Sequence, residues 1–199
     1  MKPRRLRCWI GEEPLNTRMC HEEESIPLIQ KLVLDFKPEL IVEFGTCTGG
    51  MTLLFHQCCP AVPLHSFDNV SMASSLGKIG RMNKKHIERF QEQAFGDSVT
   101  FYITDIFHKG RKQVEEIVKQ PVKKLLYCDN GKKHDEMRLF GSLLLEGDLL
   151  GVHDWGFEVG YDYPGVIQTL VPFTEHPMNK LFIKNNLSSR FFRRLKDAI

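Results

Sequence analysis

The stretch LIVEFGTCTGGMTLLF, residues 40–55, joins a short apolar run to a segment of helical length through a turn that holds three glycines. Its first residues favour a strand buried on both faces, because a nearly continuous apolar run leaves no side for solvent. Gly45 permits a tight turn after that strand, and Gly49 and Gly50 let the next helix begin close to whatever lies beyond the turn. The stretch therefore predicts a strand-to-helix turn that can approach a ligand.

The same alternation continues along the chain. Four more apolar runs of strand length lie at 63–68, 99–105, 124–129 and 148–154, and helices are expected at 25–36, 50–58, 82–95, 108–119 and 133–145. Strand alternating with helix predicts an α/β fold, namely a doubly wound, mostly parallel sheet with helices on both faces. After residue 155 the pattern predicts a helix within 164–173, a last strand at 180–184, and a tail from 187 that packs as a helix or stays mobile.

Length and composition favour one domain over the 199 residues, with 1–24 as an N-terminal extension. The net charge of +2 does not demand a polyanionic partner, although residues 2–7 and 190–196 are basic. No apolar run approaches the roughly 18 residues of a membrane span. The first 15 residues lack the apolar core of a signal peptide, and the six cysteines show no paired metal spacing, so a cytoplasmic protein with reduced thiols is expected.

An acidic residue stands at or near the end of each of the five predicted strands: Glu43, Asp68, Asp105, Asp129 and Asp154. In an open α/β sheet the ligand crevice lies beyond the carboxyl ends of the strands, so these side chains are expected to converge there. One acid at a strand end is commonly a helix cap. Five are harder to explain in this way, since an unpaired buried carboxylate is costly. The sequence thus predicts an acidic crevice at one edge of the sheet.

The glycine turn departs from the dinucleotide fingerprint G-x-G-x-x-G, because Cys47 stands where the second glycine would be. Asp68, 23 residues after Gly45, is placed to accept hydrogen bonds from ribose hydroxyls. The ligand is therefore expected to contain a nucleoside, and an acidic crevice suits a cationic nucleoside better than a pyrophosphate. S-adenosylmethionine, which carries a sulfonium and an amino group, meets that demand.

Taken in chain order, the stretches IVEFGTCTGG, SFDN, GDSVTFYITDIF and LLYCDNGKKHDE…LLEGDLLGVHDW resemble the successive motifs of class I S-adenosylmethionine-dependent methyltransferases. The resemblance is greatest to the catechol O-methyltransferase-like branch and to cephalosporin-hydroxylase-type sequences. It implies a Rossmann-like methyltransferase fold with an antiparallel last strand, a cofactor-binding core at 25–155, and acceptor-side and C-terminal elements at 156–199. The implied activity is methyl transfer to an oxygen of a small molecule.

The resemblance also implies which residues hold the cofactor. The methionine part would lie at the first turn, the ribose at the end of the second strand, and the adenine at the end of the third strand. The residues concerned are, in that order, Glu43, Gly45, Thr46, Gly49 and Gly50, then Asp68 and Asn69, then Asp105 and Ile106. Asp129 would border the cofactor as well as the acceptor.

Metal binding is the point at which the chain departs from the catechol-type pattern. In those enzymes an aspartate after the fourth strand and an Asp-Asn pair after the fifth hold magnesium. Here Asp129 and Asp154 match, but Trp155 replaces the asparagine and removes an oxygen ligand. Asp129 and Asp154 could still bind magnesium together with water, because magnesium keeps several waters and needs few carboxylates. Since it prefers six oxygen ligands, however, the sequence favours cofactor binding that survives a chelator and a site without a tightly held metal.

Methyl transfer also needs a group that removes the proton of the acceptor. By the resemblance, Lys132 is the base, and it could act so if burial or a nearby cation lowers its pKa. His134 and His153 are the other candidate bases, and Asp129 completes the set of candidate catalytic residues. These cationic groups, or the sulfonium, would also offset the charges of Asp129 and Asp154 in the absence of a metal.

Two other classes of protein stay open at this point. A nicotinamide-dependent oxidoreductase would share the acid after the second strand, although the fingerprint glycine is missing. A non-catalytic cofactor-binding protein on a methyltransferase scaffold would be consistent with Trp155. The expected partner is a small-molecule acceptor, with a homodimer left open and with neither a membrane nor a nucleic acid as a partner.

Overall fold

The computed structural model describes residues 8–10, 17–19, 21–71, 75 and 94–196, and within them two sheets and six α-helices can be given full bounds. The strands are β1 (Cys8–Ile10), β2 (Thr17–Met19), β3 (Leu40–Phe44), β4 (Leu64–Asp68), β5 (Val99–Ile103), β6 (Lys124–Cys128), β7 (Leu149–Val152), β8 (Phe173–Glu175) and β9 (Arg190–Arg194). The α-helices are α1 (Ser25–Phe36), α2 (Gly50–Cys58), α3 (Arg111–Val118), α4 (Lys133–Leu139), α5 (Val166–Leu170) and α6 (Asn179–Lys184). Short 3-10 turns cover Gly96–Ser98 and Gly141–Leu143.

The larger sheet has the strand order β5-β4-β3-β6-β7-β9-β8, and β1 pairs with β2 in a separate antiparallel ribbon. The five strands from β3 to β7 are parallel, whereas β9 runs antiparallel to both β7 and β8. The chain passes from β3 to β4 on one side and later returns to β6 on the other side. The strand order therefore reverses between β3 and β6, which is where an open α/β sheet binds its ligand.

Two apolar clusters cover the two faces of this sheet. Along β3, Ile41 belongs to the cluster that contains α1 and α2, and Val42 belongs to the cluster that contains α3 and α4. This division follows from the strand itself, since successive side chains point to opposite faces. All five residues of β3 are buried. The predicted doubly wound sheet with helices on both faces is confirmed.

Most predicted elements between residues 25 and 155 are found close to their expected bounds. The five predicted strands are β3 to β7, and α1 and α2 span the predicted ranges 25–36 and 50–58. The helix expected at 133–145 is shorter, because α4 ends at Leu139 and a 3-10 turn follows. The helix expected at 82–95 lies almost wholly outside the described residues.

The prediction for the C-terminal region was wrong in two places. The segment 180–184, expected as the last strand, lies in helix α6, where Asn179 and Phe182 are buried three residues apart. The tail, expected to pack as a helix or stay mobile, contains strand β9 instead. Phe191 and Phe192 are buried in different clusters, one on each face of the sheet. An adjacent aromatic pair buried on both faces suits a strand, and β9 with β8 supplies the antiparallel end of the sheet.

Within the described part of the chain, none of the helices has both the length and the apolar character needed to span a bilayer.

Candidate active site

The turn after β3 lies directly against the end of β6. Gly45 has a φ of 99°, and a Cβ added to it would lie 2.4 Å from the carbonyl oxygen of Asp129. A side chain at this position would therefore both strain the backbone and collide with the neighbouring strand end. Gly49, with a φ of 78°, is the N-cap residue of α2 and donates its backbone N–H to the Thr46 carbonyl oxygen at 2.7 Å. The two glycines make possible a turn that brings the ends of β3 and β6 together.

Asp68, at the end of β4, organises the same turn. Its Oδ2 accepts the backbone N–H of Cys47 at 2.8 Å, and its Oδ1 accepts that of Val70 at 3.0 Å. Thr46 is connected to β4 as well, through a 2.6 Å hydrogen bond between its hydroxyl and that of Ser66. Each carboxylate oxygen can accept more than one hydrogen bond. Asp68 thus braces the turn and keeps acceptor capacity for a ligand.

Glu43 is a fully buried carboxyl group in β3, behind the turn. Its Oε2 accepts hydrogen bonds from the hydroxyls of Thr52 at 2.5 Å and Ser66 at 2.6 Å, and its Oε1 has no hydrogen-bond partner among the described residues. Burial raises the pKa of Glu43 to about 7, although the two hydroxyls favour the charged form. Because burial disfavours the charged form, Glu43 stabilises the fold most when its carboxyl group is neutral.

We expect the Glu43→Gln variant to gain stability relative to the parent protein as the pH rises. A carboxyl whose pKa is raised on folding stabilises the protein fully below its unfolded pKa of 4.5, and this contribution is lost as the pH rises through about 7. The difference in unfolding free energy between variant and parent should grow by on the order of 2–3 kcal/mol from pH 4.5 to pH 8. Urea unfolding at both pH values measures it. Glu116→Gln, on an exposed helix face, should show no such trend.

The end of β5 is organised by its own acid. Asp105 accepts a hydrogen bond from His108 Nδ1 at 2.9 Å and another from the backbone N–H of Phe107 at 2.8 Å, and these bonds lower the pKa of Asp105. Ile106 is fully buried in the cluster of α3 and α4, whereas Asn69, after β4, is exposed. The roles of these three residues toward adenine and ribose stay predictions.

A cluster of charged side chains occupies the ends of β6 and β7. His153 Nδ1 lies 2.9 Å from Asp129 Oδ1 and 3.7 Å from Asp154 Oδ2. Lys133 Nζ lies 3.4 Å from both Asp129 Oδ1 and Asp154 Oδ2, and 2.7 Å from Glu158 Oε2. We call these five residues, Asp129, Lys133, His153, Asp154 and Glu158, the carboxyl-edge cluster. The expected convergence of Asp129 and Asp154 is thus observed.

The charges of this cluster shift one another's pKa values. Burial acts to raise the pKa of Asp129, but His153 and Lys133 lower it below its ordinary value. Burial acts to lower the pKa of His153, but Asp129 and Asp154 raise it above the ordinary value for a histidine. Burial would likewise lower the pKa of Lys133, and the surrounding carboxylates raise it well above the ordinary value. Lys133 is therefore a permanent cation at neutral pH.

His21, from the N-terminal extension, covers the cluster. Its ring stacks on that of His153 with centroids 3.7 Å apart, and its Nε2 lies 2.8 Å from the hydroxyl of Tyr127. Burial lowers the pKa of His21 well below its ordinary value, and His153 adds to this effect. His21, Asp129 and His153 each offer a ligand atom, and these atoms lie within 4.8 Å of one another.

Magnesium does not fit this set of donors. Two of the three groups are imidazoles, which suit zinc, copper, iron or nickel, whereas magnesium prefers oxygen ligands. The residue after Asp154 supplies no oxygen either, because the indole of Trp155 packs in the core at 5.2 Å from the Phe192 ring. The position that holds an amide in the catechol-type enzymes has become part of the hydrophobic core here.

Of the three predicted bases, His153, Lys132 and His134, only the first lies in the carboxyl-edge cluster. His153 lies in the carboxyl-edge cluster, but the exposed Lys132 directs its Nζ over the Phe107 ring, 5.4 Å from the ring centroid. The neighbouring Lys133 reaches Asp129 instead. His134 borders a cavity of about 410 Å³ between α4 and α5, and its Nε2 has no hydrogen-bond partner among the described residues.

Three residues of the site escaped the sequence analysis: His21, Lys133 and Glu158. Glu158 stands four residues after Asp154, and its backbone N–H bonds to the Asp154 carbonyl oxygen at 3.0 Å. A one-turn spacing of acids around the end of β7 could have indicated it. Nothing in the local sequence indicates His21, which lies more than 100 residues from Asp129.

Comparison with known proteins agrees with this geometry. The sequence profile of the rhamnosyl O-methyltransferase/CmcI family matches residues 9–168, which is most of the chain. The chain belongs to that family. The predicted S-adenosylmethionine-dependent O-methyltransferase is thereby confirmed, and the protein is an enzyme of the O-methyltransferase class. No curated protein matches the chain in sequence.

Solved structures share the fold of this family member. CmcI-N160 in its apo form is 14% identical, with a TM-score of 0.60, and the match covers 89% of this chain and 73% of that one. A structure of CmcI-N160 with SAH is 13% identical, with a TM-score of 0.53 and coverages of 89% and 78%. A methyltransferase from Geobacter sulfurreducens is 15% identical, with a TM-score of 0.56 and coverages of 88% and 80%. The chain spans only 57% of a further structure, from Staphylococcus aureus.

Proposed function

We propose that the protein transfers the methyl group of S-adenosylmethionine to an oxygen of a small-molecule acceptor at the carboxyl ends of β3, β6 and β7. The observation that carries this proposal is the close approach of Gly45 to the carbonyl oxygen of Asp129. It joins the turn suited to the methyl donor to the cluster suited to the acceptor. Methyl transfer asks an enzyme mainly to hold donor and acceptor in line and to remove a proton.

The cofactor proposal is supported by the donor side of the site and by the fold. Gly45 and Thr46 follow β3, next to the point where the strand order reverses, and Asp68 at the end of β4 is hydrogen-bonded to the same turn. The same fold is found with SAH in CmcI-N160. The carboxylates at the strand ends would attract a sulfonium more strongly than a phosphate. A nicotinamide-dependent oxidoreductase has no such support.

The acceptor's proton would pass to His153. In a histidine–carboxylate pair the carboxylate fixes the orientation and the tautomer of the ring, and Asp129 is placed to do this at 2.9 Å. Lys133 is a permanent cation and cannot serve as a base, and Lys132 lies on the ring of Phe107. The 410 Å³ cavity beside His134 is within the size range of small-molecule sites, but none of its lining residues belongs to the carboxyl-edge cluster, so the acceptor is expected at the cluster itself.

Magnesium takes no part in the proposed reaction, because the ammonium of Lys133 already lies among the carboxylates of Asp129, Asp154 and Glu158. The charges of Asp129 and Asp154 are instead met by the ammonium of Lys133, 3.4 Å from each, and Asp129 also hydrogen-bonds the ring of His153 at 2.9 Å. The cytoplasmic location stays a prediction.

Asp68→Ala is expected to weaken the binding of S-adenosylmethionine by about 1–3 kcal/mol, through lost ribose hydrogen bonds and a less ordered turn. Isothermal titration calorimetry with S-adenosylmethionine and S-adenosylhomocysteine measures this loss. Asp97→Ala, an exposed aspartate in the turn before β5, serves as the matched control and should bind like the parent. If the parent protein gives neither heat nor a thermal shift with either ligand, the proposed cofactor is wrong.

A further inference from the structure

We propose that the ammonium group of Lys133 fills a cation-binding site formed by Asp129, Asp154 and Glu158, and that removing Lys133 converts this site into one for a divalent metal ion. The inference concerns the cation alone and does not depend on the identity of the methyl acceptor. It accounts for the way in which the chain holds three carboxylates together at the ends of the strands.

Three carboxylates surround one nitrogen atom. The Lys133 Nζ lies 2.7 Å from Glu158 Oε2 and 3.4 Å from both Asp129 Oδ1 and Asp154 Oδ2. The acceptors come from the end of β6, the end of β7 and the loop after it, so the ammonium connects three segments of the chain. A metal ion that binds carboxylates from several strand ends makes the same kind of connection.

The Lys133 side chain is only 2% exposed, so its charged nitrogen is largely removed from water. A buried ion costs several kcal/mol in lost hydration, and nearby opposite charges with hydrogen bonds are needed to offset that cost. If the ammonium is removed, the carboxylates in turn lose the positive charge that offsets their own charges. Three carboxylates that now lie within 3.4 Å of one nitrogen would then repel one another.

The alternative occupant is a metal ion bound by His21, Asp129 and His153. While Lys133 is present, its ammonium group opposes this metal ion in two ways. The Lys133 ammonium lies 3.4 Å from the same oxygen of Asp129 that meets His153 Nδ1 at 2.9 Å. A cation placed between the two histidines and Asp129 would be repelled by the fixed charge of Lys133, since unit charges interact strongly over a few ångströms away from bulk water.

The arrangement also separates two functions that a bound metal would combine. Lys133 offsets the negative charge of the strand ends, and His153 is left to accept a proton. Lys133 is therefore a positioning residue in the site, because its buried nitrogen acts on Asp129 and Asp154 rather than on the substrate.

Metal binding by Lys133 variants tests the proposal without an activity assay. Lys133→Ala and Lys133→Gln are titrated with MnCl₂, and free Mn²⁺ is followed by electron paramagnetic resonance while the midpoint of thermal unfolding is recorded. We expect both variants to bind Mn²⁺ at least tenfold more tightly than the parent, and to gain about 5 °C in melting temperature at saturating Mn²⁺. The parent should gain less than about 1 °C and should be unaffected by a chelator.

Controls separate this effect from a general loss of positive charge. Lys112→Gln removes an exposed lysine, whose side chain is 90% exposed, and should respond to Mn²⁺ like the parent. Lys133→Arg keeps the charge and should not gain Mn²⁺ binding. Lys133→Gln combined with Glu158→Gln removes one of the three carboxylates and should lose most of the gain.

Three results would overturn the proposal. The first is equal Mn²⁺ affinity in the parent and in both Lys133 variants. The second is one stoichiometric metal ion in the purified parent protein, found by elemental analysis and lost in His21→Ala. The third covers variants that do not fold: if Lys133→Ala and Lys133→Gln are unfolded and Mn²⁺ does not restore their circular dichroism spectrum, the site does not accept a metal ion in place of the ammonium.

Discussion

His153→Ala should lower kcat by about 10²–10⁴-fold, because it removes the group that accepts the acceptor's proton. The binding of S-adenosylmethionine should change little, since His153 lies at the ends of β6 and β7 and the donor is expected at the turn after β3. Methyl transfer followed by mass spectrometry gives kcat, and calorimetry gives the cofactor affinity. His176→Ala, in the loop after β8, is the matched control and should keep the parent rate.

The pH dependence of kcat identifies the base more sharply than the loss of rate alone. A base must be unprotonated to act, so kcat should rise with pH through the pKa of His153, which Asp129 and Asp154 hold above its ordinary value. Asp129→Asn removes the charge that raises this pKa. The rising limb of its residual activity should therefore shift to lower pH. A limb that stays in place, or an unchanged kcat in His153→Ala, would assign the proton transfer to another group.

Asp148→Ala is expected to destabilise the protein by about 3–5 kcal/mol, because it leaves the ammonium of Lys124 buried without its partner. Lys124 Nζ lies 2.6 Å from Asp148 Oδ2, and neither side chain is more than 2% exposed. Asp148 also accepts the backbone N–H groups of Lys124 at 3.0 Å and Leu145 at 2.7 Å. Its loss therefore affects the start of β6 and the turn before β7 together.

Urea unfolding of the parent and the variant measures this loss. Asp35→Ala is a matched control, because Asp35 also pairs with a lysine, Lys31, at 2.8 Å, but on an exposed helix face. Such a surface pair contributes less than about 1 kcal/mol. The double variant Lys124→Met with Asp148→Ala removes both charges and should be more stable than Asp148→Ala alone. If Asp148→Ala and Asp35→Ala lower the free energy of unfolding by the same small amount, the buried pair does not stabilise the contact between β6 and the turn before β7.

Much of the core and the turn after β3 could be predicted from the sequence. The bounds of α1 and α2, the five parallel strands and the glycine turn were correct, because each depends on local periodicity and on residues within one turn or strand. Asp129 and Asp154 were also placed correctly at neighbouring strand ends, since parallel strands bring their carboxyl ends to one edge. The prediction for the C-terminal region was wrong because 180–184 and 190–194 are both five-residue segments in which two or three apolar residues stand between basic ones. So short a pattern suits a helix and a strand equally, and only burial separates them.

The chain by itself thus determined the parallel sheet, the turn at Gly45 and the convergence of Asp129 with Asp154. Only the tertiary structure decided which cation meets those aspartates. Lys132 and Lys133 are adjacent and alike in the sequence, but the first turn of α4 directs Lys133 inward and leaves Lys132 on the Phe107 ring. The tertiary structure also stacks the ring of His21 on that of His153. Contacts between residues far apart in the chain depend on the packing of whole elements, so local sequence patterns do not predict them.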